Sequence, residues 1–99
     1  MALHIKEENG TFKLFGNMNA DHAHDVRFFM RTKLRFASEL KISLENLDSM
    51  DLSGAMLFND LKKEALEFQK TVSVRFGSNK KITGPLLMIQ DNVLLKRAA

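Results

Sequence analysis

The chain has 99 residues, enough for one small domain and too few for two. Apolar residues make up 44% of it, which excludes a disordered tail, and the absence of cysteine excludes disulfides, thiol catalysis and cysteine-based zinc sites. The net charge of +3 is carried by mixed signs with no nucleic-acid reading motif, so the basic lean reads as a solvated surface and no nucleic-acid partner is expected.

The first residues, Met-Ala-Leu-His-Ile-Lys-Glu-Glu, lack the apolar core of a signal peptide, and no apolar run is long enough to span a bilayer. A cytoplasmic protein without membrane insertion is expected. Leu3 and Ile5 alternate with His4 and Lys6, the period of a half-buried strand. Asn9-Gly10 is a type I′ hairpin signal, and Phe12 and Leu14 continue the alternation in a second strand. Gly16-Asn17-Met18-Asn19 breaks the pattern. From Asp21 the period turns helical, with Ala23, Val26, Met30 and Leu34 in one stripe, Phe29 beside it, and Asn19 or Asp21 as the cap.

Leu40, Ile42 and Leu44 give a third strand, and a turn is expected from Asp48 to Gly54. Leu57, Leu61, Ala65 and Phe68 then recur at helical spacing. Val72, Val74 and Phe76 form a fourth strand closed by Gly77-Ser78-Asn79. A last helix is expected from about Pro85 to Leu95, since proline suits a first helical turn; a helix from Asn79 kinked at Gly84-Pro85 is the alternative. The order is β-β-α-β-α-β-α. The opening hairpin is antiparallel and the later strands pair in parallel through right-handed crossovers, giving an α/β fold: a small mixed sheet with helices packed on it. The first strand falls at a sheet edge, where self-association is open to it.

Residues Leu47 to Ala55, Leu-Asp-Ser-Met-Asp-Leu-Ser-Gly-Ala, join a strand to a helix and present free N–H groups that favour an anion or a partner's carboxylate. Three stretches, in order, carry a likeness to a known family. Gly16-Asn17-Met18-Asn19-Ala20 with Ala23 and Val26, Leu40-Lys41-Ile42-Ser43-Leu44, and Met50-Asp51-Leu52-Ser53-Gly54-Ala55 together resemble a STAS domain, the sulfate transporter and anti-sigma factor antagonist family. The resemblance covers roughly residues 2 to 83 and makes residues 1–99 a single STAS-like domain.

The resemblance implies a non-enzymatic regulatory domain that binds another protein, an anti-sigma factor or a kinase-like ATPase domain, through the turn before the second helix. Asn19, Asp51, Leu52, Ser53, Gly54 and Ala55 form that binding face. Members of the family are phosphorylated at the first serine after the aspartate. Here Leu52 stands at that position, and Ser53 matches the second serine and is the phosphoacceptor candidate. A second branch of the family serves ATP-driven lipid transporters as a cytoplasmic accessory subunit and needs no phosphoserine, so a transporter ATPase subunit is the alternative partner. A small-nucleotide or anion binder at the helix N-terminus is a third reading.

Each candidate also has a plain structural role. Ser53 suits a helix cap, Ser49 a turn residue, and Asp51 a carboxylate that bonds its own turn. Leu52 is either an exposed anchor or core. His22 and His24 lie about 200° apart on a helix and cannot share an ion, so no metal is expected. No glycine-rich phosphate loop or Ser-His-Asp constellation is present, so no enzyme activity and no cofactor are expected.

Overall fold

The computed structural model describes residues 2–82, 84, 95 and 96. Strand β1 spans His4–Glu8 and strand β2 Thr11–Met18, joined by Asn9-Gly10. Both turn residues have positive φ, 53° and 80°, and Glu8 faces Thr11 across them. A type I′ turn demands that conformation, which asparagine tolerates and glycine adopts freely. Helix α1 (Ala20–Arg35), strand β3 (Glu39–Met50), helix α2 (Leu52–Glu67), strand β4 (Thr71–Arg75) and strand β5 (Leu95–Lys96) follow. The sheet order is β1-β2-β3-β4-β5, with β1 antiparallel on one edge and every other pair parallel.

The expected mixed sheet with helices packed on it is what forms. Phe12, Leu14, Ile42, Leu44, Val72 and Val74 point from the strands into a single apolar cluster. Val26, Met30 and Leu34 of α1 and Leu57, Phe58 and Leu61 of α2 close it from the helix side. Burying each of these side chains contributes about 2 kcal/mol. The two helices also touch one another. Glu64 of α2 takes Arg27 and Arg31 of α1, the latter at 3.1 Å.

Four sequence expectations change. β3 does not end before Asp48: it runs to Met50, so Asp48 and Ser49 are strand residues. The alternation was lost because two bulges interrupt the β2–β3 ladder. Thr11 pairs with Lys41 but Asn17 pairs with Ser49, so six steps along β2 match eight along β3. The buried positions accordingly step from Leu40, Ile42 and Leu44 to Leu47 and Met50. Asn79, from the loop after β4, donates its side-chain amide to the Leu44 and Leu47 carbonyls, both at 2.9 Å, and so satisfies one backbone group within the first bulge and one just past it.

Phe68 leaves the apolar stripe. It is the C-cap of α2 and 70% exposed, while Phe58 takes the buried place. Leu95, expected as the end of a helix, lies in β5 opposite Val74. The rest of that helix, from Pro85 on, lies outside the described residues. The fourth change concerns Ser53, whose expected cap role falls to Asp51.

Candidate functional site

The carboxyl ends of β2 and β3 and the N-termini of α1 and α2 meet at one edge of the fold. Met18 ends β2, and its carbonyl accepts the Asp51 N–H at 3.1 Å, which carries the strand pairing one residue past β3. Ser49 donates its hydroxyl to Asn17 Oδ1 at 2.7 Å across the same two strands. These contacts bring the two helix starts side by side.

Each helix start is capped by the residue before it. Asn19 has extended backbone (φ −137°, ψ −176°), and its Oδ1 accepts the Asp21 N–H at 2.9 Å. Asp51 is also extended (φ −90°, ψ 179°), and its Oδ1 accepts the Gly54 N–H at 2.9 Å. An extended residue with a short oxygen-bearing side chain reaches the free N–H groups of the first turn, which is what a cap requires. Asp51 wins over Ser53 because the helix begins at Leu52, two residues earlier than a serine cap would allow.

The second oxygen of Asp51 serves the other helix. Oδ2 accepts the Ala20 N–H, the first of α1, at 3.0 Å. One carboxylate therefore faces the positive ends of two helix dipoles and links the two helix starts. Gly54 explains the closeness of α2 to the strands. A Cβ there would stand 2.8 Å from Met50 Cγ and 3.3 Å from Met18 Cγ. Only a bare backbone fits at that point.

The six sequence candidates divide into two groups. Asn19 is half-buried, and Asp51, Leu52 and Ser53 are exposed, with Leu52 at 42%. Gly54 and Ala55 are buried under the turn and seat the helix. Leu52 and Ser53 are the first two helical residues and stand at the tip. Met56, one helical turn after Leu52, is 51% exposed and extends the apolar strip. Sequence reading missed Met56, although its i+4 spacing from Leu52 was available as a signal.

This edge presents two apolar side chains, one free-standing hydroxyl and capped helix ends. His22 and His24 both sit within α1, on opposing sides as expected. Among the described residues no three His, Cys, Asp or Glu side chains gather as metal ligands, and no helix is long and apolar enough to cross a membrane.

No family model and no curated protein matches the sequence. By fold there is a match: the unphosphorylated form of the anti-sigma factor antagonist SpoIIAA aligns with a TM-score of 0.73, over 99% of this chain and 89% of that one. The fold is that of SpoIIAA. At 16% identity, what the two share is the path of the chain, the STAS fold that the three sequence stretches implied.

Proposed function

We propose that this chain is a regulatory domain that acts by docking on another protein, in the manner of an anti-sigma factor antagonist. The observation that carries the reading is the exposed Leu52–Ser53 tip, rigidly held by the double acceptor Asp51 on a STAS fold. Leu52, Ser53 and Met56 touch the partner. Asn19 and Asp51 hold the two helix starts in register, and Gly54 and Ala55 let α2 sit close enough to the sheet to present the tip. The partner is an anti-sigma factor or a related kinase-like ATPase domain, met in the cytoplasm. The domain itself catalyses nothing and holds no cofactor.

Ser53 is the phosphoacceptor of this reading. Its hydroxyl is exposed at the second position of α2. A phosphate there adds nearly two negative charges beside Leu52 and disrupts an apolar contact by desolvation cost. A second reading is favoured by one observation: the position that aligns with the family's first serine is an exposed leucine with exposed Met56 beside it. A permanently apolar tip suits constitutive docking, as on the ATPase subunit of a lipid transporter.

A pull-down from native extract with wild type and Leu52→Asp, read by mass spectrometry, separates them. Recovery of a kinase-like or anti-sigma protein that Leu52→Asp loses supports the first reading. Recovery of transporter ATPase and membrane subunits supports the second. A partner set indifferent to Leu52→Asp overturns both.

A further inference from the structure

The opposite end of the two helices carries a cleft. Each helix has 16 residues, so its two ends lie about 24 Å apart and the cleft is remote from the Leu52 tip. It opens between the later turns of α1 and α2, with a volume of about 550 Å³. Phe28 and Phe68 form its apolar walls, each 70% exposed, and the 86% exposed Phe36 ends α1 at the same end of the molecule. Large aromatic side chains left this open cost solubility and need a reason.

The rim is cationic. Arg31, Arg35 and Lys70 line the cleft against a single carboxylate, Glu64. That carboxylate is already taken by Arg27 and Arg31. Lys70 donates its ammonium to the Leu34 carbonyl, which ties the charge to the cleft wall rather than letting it reach away. Arg35 has no ion-pair partner among the described residues, and with Phe28, Arg31 and Thr32 it falls on one face of α1 by i, i+3, i+4 and i+7 spacing.

We propose that this cleft is a second docking site, for an acidic peptide segment of a partner protein. The segment sets a bulky apolar side chain between Phe28 and Phe68 and places carboxylates against Arg35 and the outer face of Arg31. Shape decides for a protein segment over a lipid surface. A membrane takes a protruding basic and aromatic face, whereas a cleft between two helices, with Arg31 and Lys70 held to its walls, takes an inserted side chain. The excess of cations over free carboxylates decides for an acidic flank. A domain with sites at both ends of its helices joins two proteins at once.

Selection of a random-peptide phage library on the wild-type protein, with synthetic versions of the winners titrated by fluorescence anisotropy, tests this. The expected winners carry an aromatic or leucine anchor flanked by aspartate or glutamate. They weaken by at least about tenfold on Phe28→Ser/Phe68→Ser and on Arg35→Glu, and are unaffected by Leu52→Asp. Arg35→Glu changes only an exposed charge, so it reports on the cleft even if the double serine variant folds poorly. Winners that are basic, winners indifferent to both variants, or no enrichment overturn the proposal. Sedimentation of the protein with phosphatidylglycerol vesicles, lost on Phe28→Ser/Phe68→Ser, overturns it in favour of a lipid surface.

Discussion

Asp51, the last residue before α2, accepts the backbone N–H of Ala20, the first residue of α1, at 3.0 Å across 31 positions of sequence. The same carboxylate caps its own helix through Gly54. The two helices are therefore joined at their starts by one side chain, and the tip that carries Leu52 and Ser53 inherits its orientation from that joint.

Removing the joint has a calculable cost. Asp51→Ala leaves two helix N–H groups without an acceptor, at about 1 kcal/mol each, so stability falls by about 2 kcal/mol in urea denaturation. Asp51→Asn keeps one carbonyl oxygen and loses the charge, and falls between alanine and wild type. Equal stabilities for all three proteins would show that water replaces both bonds.

Gly54→Ala sets two effects against each other. Alanine favours a helix over glycine by about 1 kcal/mol. Against that, its Cβ would stand 2.8 Å from Met50 Cγ in the buried seam. Overpacking of this kind costs about 1–3 kcal/mol, so the net change runs from near zero to a loss of about 2 kcal/mol. The cost shrinks in a Met50→Ala background, and a double-mutant cycle reads that coupling directly.

Asn79 holds the bulged part of β3 by two hydrogen bonds from one amide nitrogen. Asn79→Ala exposes both carbonyls to loss of a partner and costs about 1–3 kcal/mol. Asn79→Asp costs more, because it turns a donor into a carboxylate facing two carbonyl oxygens. Hydrogen exchange is expected to quicken locally at Leu44 to Leu47 in both variants.

Glu8 gives a pH signature. A hydrogen bond and the charge of Lys13, helped by Lys6, hold its carboxyl below the ordinary value of 4.5. A carboxylate with a depressed folded pKa stabilises the fold above its unfolded value, and that contribution is lost as the pH falls below 4.5 through the folded value. Lys13→Met moves the Glu8 titration, followed by side-chain carbonyl NMR, upward towards the ordinary value.

Much of the fold was legible because its signals are local. Asn9-Gly10 dictates its turn, and Val26, Met30 and Leu34 share a helix face by spacing alone. The strand-to-helix turn before α2 was legible in place but not in detail. The bulges that lengthen β3 to Met50 depend on the register with β2, which no local pattern contains. The cap passed from Ser53 to Asp51 for a related reason: Asp51 is fixed by Met18 and Ala20, residues far off in sequence. Phe68 fits the helical period but falls one residue past the helix, where the stripe no longer faces the sheet.

The most direct measurement is the affinity of the captured partner for Leu52→Asp, by titration calorimetry, beside the thermal stability of the same protein. Leu52 is exposed and opens a helix, where an acidic residue is favoured, so stability is expected to stay within about 0.5 kcal/mol of wild type. Affinity is expected to fall by at least about tenfold, as for the loss of a central apolar contact. Unchanged affinity in a folded Leu52→Asp protein would contradict the placing of the docking face at the start of α2.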